Sequence, residues 1–178
     1  MEFKEKTHSS ETVFVGKVFT VKHDIAELHT GKLASREVVE HTGGVCIAAV
    51  DGEKNVYLVD QFRYPFMRTI TELPAGKLEK GEDPDLAAAR ELKEETGFTA
   101  KSLVRVAESY PSPGFCSETL YLYLATGLTS GEQRLDEDEF LSCYKIPLAK
   151  AVERVLSGEI FDGKTQTLLL LADKILNK

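Results

Sequence analysis

Three glutamate carboxylates share one face of a predicted helix that runs from Asp83 to Thr96. At 100° per residue, the side chains of Glu91, Glu94 and Glu95 fall within an arc of roughly 100°. Like charges at this spacing repel, and a divalent cation would turn that repulsion into attraction. Ligand sets made only of oxygen favour a hard ion, and Mg²⁺ usually completes its shell with water and substrate phosphates. The cluster therefore predicts metal-dependent phosphate chemistry; the alternative is a solvated acidic helix face.

Local signals mark the ends of this helix and the loop before it. Asp83 is a suitable N-cap, and Gly97 is a suitable C-terminal stop. Arg90 precedes Glu94 by four residues, so its guanidinium can hold that carboxylate in one rotamer. A loop with a glycine at each end, Gly76 to Gly81, leads the chain towards the helix.

Loop and helix together form a longer pattern with a specific resemblance. Gly76, five residues, Glu82, seven residues and then residues 90–98, RELKEETGF, match every fixed position of G-x5-E-x7-R-E-U-x-E-E-x-G-U. In this segment the chain closely resembles the Nudix hydrolases. The resemblance implies an α/β protein with the Nudix α/β/α sandwich around a mixed sheet. It also implies hydrolysis of a diphosphate joined to some further moiety.

The substrate is indicated by a second segment, residues 112–118, SPGFCSE. Pro113 follows Gly97 after fifteen intervening residues, as a proline does in the ADP-ribose pyrophosphatases that the chain resembles. The implied reaction converts ADP-ribose to AMP and ribose 5-phosphate. Two alternatives stay open: a Nudix pyrophosphatase acting on another nucleoside diphosphate sugar or a dinucleotide, and a Nudix module that senses a nucleotide without cleaving it.

The same resemblance assigns the metal site. The implied ligands are the carbonyl oxygen of Ala75 and the carboxylates of Glu91, Glu94 and Glu95, and Glu94 is also kept among the catalytic residues. The implied cofactor is Mg²⁺, for which Mn²⁺ is expected to substitute.

The catalytic base is expected outside the helix, because carboxylates committed to metal ions are poor proton acceptors. The resemblance points to the acidic loop Asp136 to Glu139. Glu139 is favoured slightly over Glu137, since Phe140 is expected to anchor the end of the loop in the following strand.

Further residues are implied to bind the substrate. Arg63 can pair with phosphate or stack on adenine, because its planar fork suits both, and Arg36 is a weaker candidate for reaching a neighbouring subunit. The ribose side is assigned to Ser112, Pro113, Gly114 and Glu118. Individually, a turn proline or a surface ion pair is the commoner role of such residues.

Composition limits the partners of the protein. The 178 residues suit a single domain, and the net charge of −7 makes a nucleic-acid backbone or an anionic membrane a poor partner. The three cysteines are widely spaced and predict reduced thiols rather than disulfides or a zinc site. We expect a cytoplasmic enzyme that acts on a small nucleotide.

The remaining elements must position these groups. Thr12 to Leu28 is predicted as one strand that returns, after a turn at residues 29–32, as Leu33 to His41. Residues 1–42 are thus expected to form an N-terminal antiparallel β arm ahead of a hydrolase domain over 43–178. Such an arm must lie on the main domain or on a second subunit, and the resemblance to dimeric Nudix enzymes favours exchange in a homodimer. In that domain we predict strands at residues 44–50, 55–62, 71–73, 102–109 and 118–126, and helices at 147–156 and 164–176.

Overall fold

The computed structural model describes residues 3–135 and 140–178. These residues form two compact units. One contains the described part of Met1–Gly43 together with Tyr110–Thr119, and the other contains Gly44–Ser109 and Leu120–Lys178.

The first unit is built on a three-stranded antiparallel sheet. Its strands, in the spatial order β1-β2-β3, are β1 (Lys6–Val15), β2 (Phe19–Glu27) and β3 (Leu33–His41). The prediction of one strand from Thr12 to Leu28 was wrong. The chain turns at Gly16, whose N–H donates to the Phe19 carbonyl at 3.0 Å, so β1 and β2 lie side by side.

The second turn of this sheet agrees with the sequence. Gly31 has φ of 79° in the left-handed region that glycine adopts at little cost, and Leu33–His41 follows as predicted. The segment Tyr110–Thr119 joins this unit through a parallel bridge between Val39 and Cys116.

The second unit is a mixed sheet of seven strands within the described residues. The strands are β4 (Gly44–Val50), β5 (Asn55–Arg63), β6 (Arg68–Glu72), β7 (Ala75–Lys77), β8 (Phe98–Ser109), β9 (Leu120–Ser130) and β10 (Leu141–Pro147). The main order is β10-β5-β4-β9-β8, with β6 beside β5 and β7 beside β4. The central pair β4 and β9 is parallel, and the other pairs are antiparallel.

Three helices cover the two faces of this sheet: α1 (Pro84–Thr96), α2 (Leu148–Leu156) and α3 (Gly163–Leu176). Strand β4 is buried at every residue, and its side chains alternate between two hydrophobic clusters. One cluster includes α1 residues, and the other includes residues of α2 and α3. The expected α/β/α sandwich with an additional antiparallel β sheet is therefore confirmed.

Most predicted elements of this unit are observed, with shifted ends. The strand predicted at 118–126 begins at Leu120 and continues to Ser130, and β8 begins at Phe98 rather than residue 102. All three cysteines are free thiols, as expected. None of the described helices is long and apolar enough to cross a membrane.

Candidate active site

Helix α1 begins and ends as its sequence predicts. The Asp83 side chain accepts the N–H of Asp85 at 2.8 Å, and Pro84 is the first helical residue. At the other end Gly97 has φ of 74° and donates its N–H to the Lys93 carbonyl at 2.8 Å. Caps at both ends leave little freedom in the length or register of the helix.

The acidic face of α1 is turned largely towards the protein interior. Glu91 is 8% exposed and Glu95 is 1% exposed, and both lie on the face that also buries Ala87, Ala88 and Leu92. The side chain of Glu94 is 37% exposed. The alternative of a solvated acidic face is therefore wrong for Glu91 and Glu95, because burying a carboxylate is costly unless a partner compensates it.

Arg90 compensates part of this charge. Its Nε donates to Glu82 Oε1 at 3.0 Å, while its Nη1 donates to Glu91 Oε1 at 2.8 Å and Glu94 Oε2 at 2.9 Å. The hydrogen bonds to Glu82, followed by the charge of Glu91, raise the pKa of Arg90, and the same guanidinium lowers the pKa of Glu82. Arg90 thus fixes the Glu94 rotamer as expected, and it also joins two further carboxylates of the pattern.

Strand β7, which precedes the helix, lies against the same carboxylates. The Ala75 N–H donates to Glu95 Oε2 at 3.0 Å. A Cβ added at Gly76 would lie 1.9 Å from Glu91 Cδ, so glycine is required for this approach. The Pro74 carbonyl accepts the Ile47 N–H at 2.8 Å, which bonds the residue before β7 to the central strand β4.

These residues fit a hard divalent cation by their chemistry. Carboxylate and carbonyl oxygens are the ligands that Mg²⁺ and Mn²⁺ prefer, and the space at Gly76 admits the Glu91 carboxylate beside the backbone. Across residues 3–135 and 140–178, no three His, Cys, Asp or Glu side chains are already gathered as a complete metal site. Instead, Arg90 donates to Glu91 Oε1 and Glu94 Oε2, and the Ala75 N–H donates to Glu95 Oε2.

Arg63, a predicted substrate contact, is paired with a buried carboxylate. Its Nε and Nη2 donate to the two oxygens of Glu72 at 2.6 and 2.7 Å. Glu72 is 2% exposed and also accepts from Lys164 Nζ at 2.5 Å. Burial opposes ionisation of Glu72, but the hydrogen bonds from Arg63 and the charge of Lys164 outweigh it and lower the pKa of Glu72.

Sequence reasoning missed Glu72 and Lys164 as parts of this region. The two residues are 92 positions apart, and no local pattern indicates that they pair. The signal that could have been used is the position of Glu72 directly before the apolar Leu73-Pro74-Ala75 segment, since a carboxylate that is buried there requires a cation.

The predicted substrate residues of the first unit have their own contacts. Arg36 forms a double hydrogen bond with Glu5, at 2.9 Å from Nε and 2.6 Å from Nη2. Glu118 Oε1 lies 3.6 Å from Nδ1 of His41. The segment that contains Ser112, Pro113 and Gly114 turns tightly, because the Ser112 carbonyl accepts the N–H of Cys116 at 2.9 Å.

The predicted bases Glu137 and Glu139 lie outside the described residues. The expectation that Phe140 anchors this loop was wrong, because Phe140 is 81% exposed and strand β10 begins only at Leu141. On the other side of the loop, the backbone N–H of Arg134 donates to the Glu94 carbonyl at 3.1 Å. The chain is therefore attached to the C-terminal end of α1 two residues before the acidic segment begins.

Comparison with known proteins agrees with these observations. A family model described as NUDIX domain matches residues 40–168. The chain is 46% identical over 164 residues to the ADP-ribose pyrophosphatase of Bacillus subtilis strain 168, covering 91% of this chain and 89% of that protein. It is 41% identical over 165 residues to the methanol dehydrogenase activator of Bacillus methanolicus, with 92% and 89% covered.

A solved structure titled as an ADP compounds hydrolase has the same fold. The two superpose with a TM-score of 0.84 at 24% sequence identity, over 98% of this chain and 95% of the other.

Proposed function

The chain belongs to the NUDIX domain family, and from this premise we propose that it hydrolyses ADP-ribose to AMP and ribose 5-phosphate with Mg²⁺ as cofactor. The observation that carries the proposal is the burial of Glu91 and Glu95 against Ala75 and Gly76 of β7. Buried carboxylates beside a strand glycine supply oxygen ligands for a cation that a diphosphate can share. The 46% identity to an ADP-ribose pyrophosphatase supports ADP-ribose as the substrate.

In the proposed mechanism, water attacks one phosphorus of the diphosphate and the bridging P–O bond breaks. The bridging oxygen leaves with the other phosphate, and the proton of the attacking water passes to a carboxylate base. The carboxylates of Glu91, Glu94 and Glu95 and the Ala75 carbonyl would hold the cation. When bound, the cation neutralises phosphate charge and lowers the pKa of the attacking water.

Arg63 is proposed to contact the diphosphate or the adenine. Its double hydrogen bond with Glu72 fixes the plane of the guanidinium, and its side chain keeps 38% exposure from which it can meet a ligand. We assign the ribose side to the segment from Ser112 to Glu118, with Arg36 as a further candidate. Glu139, or else Glu137, is proposed as the base.

The test is a product analysis of the purified protein with ADP-ribose and Mg²⁺. We expect AMP and ribose 5-phosphate in equal amounts, no reaction in EDTA, and recovery when Mg²⁺ or Mn²⁺ is returned in excess. Binding of ADP-ribose without cleavage would favour the nucleotide-sensing alternative. Faster hydrolysis of another nucleoside diphosphate sugar or of a dinucleotide would favour the broader pyrophosphatase alternative.

A further inference from the structure

The first turn of α3 is bonded to the segment that leads into the proposed metal site. Thr165 is fully buried, and its Oγ1 accepts the Leu73 N–H at 2.8 Å. The Thr165 N–H in turn donates to Asp162 Oδ2 at 2.9 Å, which caps the helix. The hydroxyl of a residue whose backbone is capped thus satisfies a backbone donor two residues before Ala75.

Lys164, the neighbouring residue, supplies a buried cation. Its Nζ lies 2.5 Å from Glu72 Oε2 and 2.9 Å from Asp162 Oδ1, and its side chain is only 13% exposed. Burial opposes the charged form, but the negative charge of Asp162 and of Glu72 outweighs it and raises the pKa of Lys164. Buried Glu72 and partly buried Asp162 therefore share this ammonium group, and Glu72 is also the partner of Arg63.

Each residue from Glu72 to Ala75 is held by a named contact. Glu72 binds Lys164 through its side chain, Leu73 donates to Thr165, Pro74 accepts from Ile47, and Ala75 donates to Glu95. The segment is thus held between α3 on one side and α1 on the other. The position of the Ala75 carbonyl depends on both helices, although α3 contains none of the proposed ligands.

Glu72 is paired with two cationic side chains that differ in solvent exposure. Lys164 is the more buried partner, while Arg63 is the more exposed one. If Arg63 moves towards an anionic ligand, Glu72 keeps the ammonium group of Lys164 and is not left as an unpaired buried charge, which would be strongly unfavourable. Lys164 therefore lowers the cost of releasing Arg63.

We propose that Thr165 and Lys164 are positioning residues for the diphosphate site: Thr165 holds the Ala75 segment in place for the cation, and Lys164 neutralises Glu72 so that Arg63 is available to the substrate. The inference rests on the proposed function and deepens it. Neither residue contacts the reacting atoms in this arrangement.

The role of Thr165 is tested with two variants. Thr165→Val keeps the side-chain shape and removes the acceptor hydroxyl, whereas Thr165→Ser retains the hydroxyl. Thr167→Val is the matched control, because Thr167 lies in the same helix, is exposed and bonds only its own helix through the Gly163 carbonyl. We expect Thr165→Val to raise the Mg²⁺ concentration for half-maximal activity about fivefold, the worth of one hydrogen bond. The Mg²⁺-induced rise in Tm, which needs no substrate, should shrink in parallel.

The Ser variant and the Thr167→Val control should both behave as the wild type in these two measurements. The proposed role of Thr165 would be overturned if Thr165→Val had a lower Tm in EDTA but an unchanged Mg²⁺ midpoint and an unchanged Mg²⁺-induced rise in Tm. The hydroxyl would then be only structural.

The role of Lys164 is tested with Lys164→Met and with the charge-conserving Lys164→Arg. We expect Lys164→Met to raise KM for ADP-ribose about tenfold with a much smaller change in kcat, since the variant holds Arg63 on Glu72. Lys164→Arg should recover most of the loss. Equal falls in kcat for both variants with KM unchanged would overturn the proposed role of Lys164.

The two proposals fail separately. If the wild type does not cleave ADP-ribose, the substrate assignment fails, while a reduced Mg²⁺-induced Tm shift in Thr165→Val still supports the positioning role. If the wild type cleaves ADP-ribose and both Thr165→Val and Lys164→Met match it, only the positioning role fails.

Discussion

Glu95 combines almost complete burial with a hydrogen bond from the backbone of β7, at 3.0 Å from the Ala75 nitrogen. A carboxylate needed only for this bond could be replaced by an amide, which still offers an acceptor oxygen. A carboxylate that holds a cation could not be replaced in this way, because the amide carries no charge. The distinction leads to a measurable difference between stability and activity.

We predict that Glu95→Gln lowers turnover by roughly 100-fold or more, since a bound cation contributes several kcal/mol to the transition state. The free energy of unfolding in EDTA should change by about 1 kcal/mol or less. Steady-state kinetics over a Mg²⁺ titration and urea unfolding check the two expectations. Glu108→Gln, which breaks an exposed ion pair with Arg105, is the control. Full activity with an unchanged Mg²⁺ requirement would remove Glu95 from the ligand set.

The proposed base is also a single carboxylate. We predict that Glu139→Gln lowers turnover by roughly 10² to 10⁴, with Glu137→Gln affected less, because a general base typically contributes that factor. The affinities for ADP-ribose and Mg²⁺ should stay nearly constant in both variants. Turnover and Mg²⁺ dependence of the two single variants decide the assignment. A loss below tenfold in each would mean that the base lies elsewhere in the chain.

At the scale of an element, α1 is held by contacts from several directions. Near its start, the hydroxyl of buried Tyr123 on β9 donates to Asp85 Oδ1 at 2.5 Å. Near its end, Gln133 Nε2 donates to the Glu95 carbonyl at 2.5 Å and the Arg134 N–H donates to the Glu94 carbonyl. These bonds satisfy last-turn carbonyls that a helix cannot pair internally. The proposed carboxylate ligands therefore lie on a helix whose ends are both fixed.

Arg90 of this helix contacts carboxylates that a bound cation would also contact. We predict that Arg90→Gln lowers the free energy of unfolding in EDTA by about 1–3 kcal/mol, because Glu82, Glu91 and Glu94 lose their common partner. Saturating Mg²⁺ should reduce the difference in the free energy of unfolding between the variant and the wild type, since the cation neutralises the same carboxylates.

Thermal unfolding with and without Mg²⁺ measures this effect. Lys150→Gln, which breaks the exposed pair with Glu153, is the control and should change stability by less than about 0.5 kcal/mol in both conditions. If the deficit of Arg90→Gln is the same with and without Mg²⁺, the arginine and the cation do not act on the same carboxylates.

At the scale of the whole molecule, the first unit presents an edge strand. β1 is exposed at each of its ten residues, and its apolar side chains Val13, Phe14 and Val15 are among those exposed. Soluble proteins seldom leave a long apolar edge uncovered. Exchange of the N-terminal sheet in a homodimer therefore stays our prediction.

We expect a dimeric mass for the wild type in light scattering and sedimentation, and a shift towards monomer or aggregation for Val13→Lys and Val15→Lys. Thr167→Lys adds the same charge at an exposed position of α3 and should leave the mass unchanged. Removal of residues 1–41 should give an aggregating or inactive protein. A well-behaved, active monomer from that truncation would contradict the dimer.

Sequence alone determined the features whose causes are local. The bounds of α1 follow from Asp83, Pro84 and Gly97, and the shared face of Glu91, Glu94 and Glu95 follows from the helical period. The pattern from Gly76 to Phe98 was sufficient to predict the family and the fold, because its fixed positions lie within one short continuous segment.

Tertiary structure decided what depends on residues far apart in the chain. Periodicity cannot show that the chain turns at Gly16 to pair β1 with β2, since both strands have the same β-forming composition. Nor can it show that Glu91 and Glu95 are buried, because burial depends on the strands against which α1 packs. The bonds from α3 to Glu72 and Leu73 join residues 92 positions apart, and only the closing of the sandwich brings them together.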